Sequence, residues 1–248
     1  MIRRTVDFSG FVHAVRLERD AVPDFAAYPF SIPAVRGLET LELDPKVTFL
    51  IGENGAGKST LIEAIAVAAG FNAEGGTRNF RFATRSSESE LHRHLRLIRT
   101  ARRLGGFFLR AESLFNVATQ IDELDYAGAY GGTSLHEQSH GEAFLALAKH
   151  RFRGNGFYLL DEPEAALSPQ RQLSLISLIH DLAEHRGSQF VIATHSPIVM
   201  AYPGALIYQL DAAGIAPVRY HDTEHYRITR DFLADPERFF KHLLVDPE

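Results

Sequence analysis

The chain contains no cysteine, which excludes disulfides, thiolate metal sites and a cysteine nucleophile. It also lacks any run approaching the roughly 18 apolar residues needed to cross a bilayer. Arg3, Arg4 and Asp7 open the chain without an apolar signal core behind them. A soluble, unprocessed, cytoplasmic protein is expected, and the missing cysteines are compatible with a reducing compartment. Strong charge of one sign is absent too: a net charge of −5 gives no global reason to expect nucleic acid or a membrane surface as partner. Internal repeats and low-complexity tracts are also missing. What is present is 248 residues with 45% hydrophobic content, enough to build a sizeable core. One domain over residues 1–248, with an inserted helical lobe over 72–138, is the expected organisation.

The chain is organised around Gly52-Glu53-Asn54-Gly55-Ala56-Gly57-Lys58-Ser59-Thr60. A glycine, four residues, then Gly57, Lys58 and a hydroxyl is the spacing of a phosphate loop. The apolar run Val47–Ile51 predicts a buried strand entering the loop, and Leu61–Ala66 predicts a helix leaving it. A polyphosphate is held by backbone N–H groups that point inward. Gly52, Gly55 and Gly57 let the chain wrap that tightly without Cβ clashes, and Asn54 and Ala56 complete the loop. Lys58 can then reach the β and γ phosphates, Ser59 can offer a hydroxyl to magnesium, and Thr60 can contact the α phosphate.

Before the loop, the alternation from Phe11 to Glu18 and again at Leu41-Glu42-Leu43 predicts a β-rich entry. Tyr28 and Phe30 lie upstream of the phosphate loop, and either can stack on a base or pack under the loop. After it, residues 71–87 read as a connection, and Leu91, Leu95 and Ile98 predict one stripe of a helix. Eight arginines against Glu88 and Glu90 give the stretch 78–103 a local excess of +6, so an acidic chain carries one basic segment. Phe107-Phe108-Leu109 predicts a short strand. The second half alternates: helix over 143–151, strand over 157–160, helix over 169–184, strand over 190–193. Such alternation implies a mostly parallel sheet covered on both faces, with its site beyond the strand C-terminal ends.

Three groups converge on that edge. Asp161 and Glu162 follow an apolar strand directly, the first suited to magnesium and the second to polarising an attacking water. His195 follows the last buried strand and can hydrogen-bond a γ-phosphate or that water. Ser139-His140-Gly141-Glu142 opens a helix, where a hydroxyl and free N–H groups form a second anion site, and where Ser139 and Glu142 also match a capping box. The acids and histidines of His221-Asp222-Thr223-Glu224-His225 read instead as a solvated surface.

In this order the residues resemble the ATP-binding-cassette (ABC) ATPases, over most of 45–200. Gly52–Ser59 matches the Walker A loop, Phe157–Glu162 the Walker B strand, Glu164–Ser168 the D-loop and His195 the switch histidine, while Ser139–Glu142 is similar to the signature. Intervals of 22 residues from Ser139 to Asp161 and 34 from Asp161 to His195 suit that family. The chain departs from it at Gln138, His140 and Glu142, and no glutamine follows Phe107–Leu109, where Glu112 reads either as the candidate substitute, and so a magnesium ligand, or as a surface acid. The Ser-x-Gly-Glu form is more like the soluble chromosome-maintenance and recombination branch, and the overall pattern, with Phe108–Ser113 and Asp235–Phe240, is similar to small stand-alone bacterial ATPases.

The resemblance implies an α/β phosphate-loop fold of ABC type, with an N-terminal antiparallel part and a mostly parallel central sheet. It implies ATP and Mg2+, with Lys58, Glu162 and His195 catalytic and Ser59 and Asp161 on the metal. It also implies a head-to-tail homodimer in which Ser139 and Gly141 cap the ATP held by Gly52, Asn54, Gly55, Ala56, Gly57, Lys58, Ser59 and Thr60 of the other copy. The load is open among nucleic acid bound through the basic 78–103 stretch in repair or defence, a separate membrane chain of a transporter, and an unidentified protein partner of a regulatory or toxin–antitoxin switch.

Overall fold

The computed structural model describes residues 10–73, 75–76, 89–100, 105–112 and 140–244. Two sheets carry the fold. A central six-stranded sheet has the order β5-β6-β7-β3-β8-β9, built from β3 (Val47–Ile51), β5 (Gly106–Arg110), β6 (Phe157–Asp161), β7 (Gln189–Ala193), β8 (Leu206–Asp211) and β9 (Gly214–Pro217). All its pairs are parallel except β8–β9. A smaller antiparallel sheet has the order β2-β1-β4, from β1 (Val12–Leu17), β2 (Thr40–Glu42) and β4 (Leu95–Arg99). Both the antiparallel entry and the parallel core therefore stand as the pattern predicts.

The strand period of two divides the core between the faces of the central sheet. Phe49, Phe107, Tyr158, Phe190 and Ile192 point to one side, against α3 (His140–Arg151) and α4 (Pro169–His180). Leu50, Phe108, Phe157, Leu159 and Val191 point to the other, against α2 (Lys58–Ala68) and the small sheet. Each large side chain so buried contributes about 1.5–3 kcal/mol. Because strands in the middle of such a sandwich bury both faces, β3, β6 and β7 are buried throughout and mostly apolar, without alternation, Thr48, Asp161 and Gln189 being their polar residues.

Gln189 joins the two sheets. Its buried amide oxygen accepts from the N–H groups of Phe11 and Val12 at 2.8 and 2.9 Å, and its nitrogen donates to the carbonyls of Val12 and Asp44 at 2.7 and 2.9 Å. Every polar site of that amide is used, so the entry to β1 is fixed to the start of β7.

One expectation is corrected. The stretch holding Leu91, Leu95 and Ile98 is no α-helix: a 3-10 turn over Glu90–His94 leads into β4, which pairs with β1. Apolar residues four and three apart fit a turn followed by a strand as well as a helix, and pairing with the edge of β1 decides between them. Arg96 and Arg99 thus project from a strand. Within 72–138 the described residues form this turn and strand and β5, and Arg78, Arg81, Arg85, Arg102 and Arg103 lie outside them. At the far end, α5 (Glu224–Ala234) and α6 (Pro236–Leu243) follow β9, preceded by α1 (Pro33–Arg36) earlier in the chain. No helix among the described residues is long and apolar enough to cross a membrane.

Candidate nucleotide site

The phosphate loop runs from the end of β3 to the start of α2. Gly52 has φ +146° and a Cβ there would lie 2.2 Å from the Leu210 carbonyl oxygen, so no larger residue fits the turn as built. Gly57 caps α2 at φ +97°, against the Ile32 side chain. Lys58 is buried, and its ammonium donates to the carbonyls of Gly52 at 2.8 Å and Glu53 at 3.0 Å. Burial pushes its pKa below the ordinary lysine value, while Glu162, Asp161, Glu53 and Glu164 pull it back up. Four carboxylates thus act on one ammonium.

Parallel pairing places the remaining groups at the same edge. Asp161 ends β6 and Glu162 follows; the Glu162 N–H donates to the Ala193 carbonyl at 2.9 Å, which ties it to the end of β7 just before His195. Ser59 Oγ donates to Asp161 Oδ1 at 3.1 Å. Burial raises the Asp161 pKa, opposed by the neighbouring Arg110. Glu162 sits at φ +49°, in the left-handed region that a non-glycine residue adopts only when its surroundings hold it there, and such strain concentrates at functional sites. His195 Nε2 lies 3.4 Å from Glu162 Oε1, and the His195 N–H donates to the Glu164 carboxylate. Sequence-distant residues Lys58, Ser59, Asp161, Glu162 and His195 are in this way brought to one edge of the central sheet.

A cleft of about 340 Å³ there is lined by Tyr28, Asn54, Gly55, Lys58, Thr60 and Glu162 among others, while His195 lines a neighbouring cavity with Glu164 and Ser196. Tyr28 is exposed, with its hydroxyl 3.5 Å from Thr60 Oγ1. Phe30 is buried among Phe25 and His94 and belongs to the core. Glu112 is exposed in the turn after β5. Ser139 lies outside the described residues, while Gly141 is buried: a Cβ there would lie 2.8 Å from the Ala166 carbonyl and from Arg171. Glu142 and Arg171 form an ion pair at 2.8 Å, so the start of α3 is fastened to α4.

Two site residues escape the sequence. Arg110 is the register partner of Asp161 across β5–β6, and its guanidinium donates to Asp161 Oδ2 at 2.9 Å and to Glu63 Oε2 at 3.0 Å. A basic residue closing the strand beside the acidic one was the available signal. The second is His225, whose placement corrects the solvated reading of 221–225. His221, Asp222 and Glu224 are exposed, yet His225 is half-buried with Nε2 3.2 Å from His195 Nδ1. It also lines a second cleft of about 370 Å³ on the other side of the phosphate loop, with Gly52, Glu53, Asn54, Gly55 and Ala56. Among the described residues there is no group of three or more side chains arranged to hold a metal by themselves.

Residues 26–113 match the family described as "AAA domain", and residues 124–201 the one described as "AAA domain, putative AbiEii toxin, Type IV TA system". The thiamine import ATP-binding protein ThiQ of Vibrio cholerae is 30% identical over 171 residues, covering 61% of this chain and 69% of that protein. The chain belongs to the ABC-type ATPases. The nickel import ATP-binding protein NikO of Rhodobacter capsulatus is 27% identical to this ABC-type ATPase over 213 residues, or 75% of this chain and 82% of that one. Among solved structures, the SMC head domain from Thermotoga maritima matches with a TM-score of 0.48 at 18% identity, over 84% of this chain and 99% of that chain.

Proposed function

We propose that this ABC-type ATPase hydrolyses Mg-ATP at the cleft between the phosphate loop and the ends of β6 and β7, and that two copies close head to tail on two nucleotides. The observation that carries the reading is the convergence of three segments at one sheet edge, where Asp161 and Glu162 act on the Lys58 ammonium and His195 Nε2 lies 3.4 Å from Glu162. Lys58 would bind the terminal phosphates, Glu162 take a proton from the attacking water, and His195 donate from Nε2 to a phosphate oxygen as charge builds there. The metal site fits as well. The Ser59 hydroxyl and the Asp161 carboxylate are hard oxygen donors 3.1 Å apart, the type magnesium takes, with Glu112 at the same sheet edge as a further oxygen donor. Bound magnesium would offset charge on the phosphates.

In the paired form Ser139 and Gly141 of one copy meet the ATP of the other. Gly141 lies beneath the Ala166 carbonyl, so it must be uncovered before it can touch a partner's nucleotide. Closure is then favoured by ATP because only the closed state has contacts from both copies to the γ-phosphate. Light scattering of Glu162→Gln at saturating Mg-ATP is expected to show a dimer; a monomer under those conditions overturns the paired scheme.

The motion has a load, for which nucleic acid is the first reading. It rests on the basic excess over 78–103, although the described arginines Arg93 and Arg96 already face Glu90 and Glu18 at 3.8 and 3.9 Å. Binding that weakens steeply with salt supports it. A second reading, a nucleotide-binding subunit working with a separate membrane chain, is favoured by the import ATP-binding proteins among the relatives. Copurification with a membrane protein, released by salt-independent means, supports that one instead.

A further inference from the structure

Two histidines thirty positions apart meet beside Glu162. His195 follows β7, and His225 lies in the first turn of α5. Their facing nitrogens, His195 Nδ1 and His225 Nε2, are 3.2 Å apart, with ring centres 5.4 Å apart. On its far side His195 Nε2 lies 3.4 Å from Glu162 Oε1, and it is buried without a hydrogen bond among the described residues.

A neutral imidazole has one N–H and one lone pair, so this contact requires one ring to donate to the other. If His195 donated through Nδ1, its Nε2 would aim a lone pair at the Glu162 carboxylate. If His225 donates through Nε2, the proton of His195 sits on Nε2 and faces that carboxylate. The second arrangement is attractive where the first is repulsive. Both rings cannot be charged, because two N–H groups would then face each other. Burial lowers the pKa of His225, with His195 and Lys58 pushing it the same way and Glu53 and Glu224 opposing them, which favours the neutral His225 ring that this contact uses.

The contact is held from both sides. Thr223 caps α5, accepting from the Tyr226 N–H at 3.3 Å and donating to the Tyr220 carbonyl at 2.8 Å. The Tyr220 hydroxyl donates to the Pro197 carbonyl at 2.9 Å, two residues past His195. The start of α5 and the loop that carries His195 are therefore one fastened unit.

We infer that His225 is a positioning residue, which holds His195 in the tautomer with its proton on Nε2, the form able to donate to the terminal phosphate of a nucleoside triphosphate. This rests on the role given to His195 above, and the two can be separated by experiment. Ring-nitrogen NMR of the full chain should show His195 protonated at Nε2. In His225→Ala the Nδ1–H form should appear, and kcat for Mg-ATP should fall about tenfold to a hundredfold. KM should stay within about twofold, since binding by Lys58 is untouched. His225→Gln, whose amide can donate to the same nitrogen, should recover the tautomer and most of kcat. A folded alanine variant that keeps the Nε2–H form or the full kcat overturns the inference. Should that variant not fold, His225→Gln decides: the Nε2–H form with near-full kcat supports the contact, and the Nδ1–H form overturns it. Wild-type turnover by His195→Ala would instead overturn the role of His195, and the tautomer would still judge the contact.

Discussion

Arg110 and Asp161 are register partners across β5 and β6, and the Arg110 guanidinium donates to one oxygen of that carboxylate while Ser59 donates to the other. Asp161 is nearly inaccessible at 4% side-chain exposure and Arg110 is 18% exposed, so the pair is screened little by solvent. Removing one partner of such a pair leaves the other charge buried. Arg110→Met is expected to lower unfolding stability by about 3–5 kcal/mol, measured by urea denaturation. Adding Asp161→Asn should cost less than the sum of the two single changes, because the stranded charge is gone. Simple additivity would mean that the contact contributes nothing.

Lys58 leads to a different expectation. Its ammonium is buried and its pKa is lowered by that burial, so the unliganded fold gains little from the charge. Lys58→Met should leave the nucleotide-free protein about as stable as the wild type, since function rather than stability holds this residue in place. ATP at about a hundred times its Kd should stabilise the wild type by about 2.7 kcal/mol and the variant by almost nothing. Thermal unfolding with and without Mg-ATP checks both halves of the prediction.

Gln189 provides a test of how the sheets are joined. Gln189→Leu keeps a buried side chain of similar size but leaves the N–H groups of Phe11 and Val12 without their side-chain acceptor, and the Val12 and Asp44 carbonyls without its donor. The expected cost is about 3–5 kcal/mol, since each buried group left unmet costs about 1–3 kcal/mol and some find water. Hydrogen exchange should show β1 opening ahead of β3. Uniform loss of protection across both sheets would place the joint elsewhere.

What could be read from the sequence follows from how locally each signal is written. Gly52 to Thr60 lies within one turn of chain, so spacing alone predicts the loop. Val47–Ile51, Phe157–Asp161 and Phe190–Ala193 are apolar enough to predict buried strands, and buried parallel strands bring their C-terminal ends together wherever the helices lie. Asp161, Glu162 and His195 were legible for that reason. Leu91, Leu95 and Ile98 misled because three apolar residues suit a helix or a turn and strand alike, and the choice was made by β1, some eighty residues earlier. Arg110 depended on the register of β5 against β6, which no motif states. His225 required α5 to begin against the phosphate loop, a tertiary placement set by Tyr220, Pro197 and Thr223 together.

The depressed pKa of His225 has a consequence for stability that is separate from turnover. A base whose pKa is lower folded than unfolded binds fewer protons in the native state, so it favours folding above its unfolded value of 6.5 and loses that contribution as pH falls through the lowered folded value. Carboxylates and other histidines titrate in the same region, which makes the wild-type curve alone uninformative. His225→Gln removes one titrating group and leaves the rest in place. The stability difference, wild type minus variant, should therefore shrink between about pH 7.5 and about pH 5, in chemical denaturation of the nucleotide-free protein. A difference that stays constant over this range would mean that His225 feels neither the burial nor the facing His195 ring, and a difference that grows would mean that its pKa is raised.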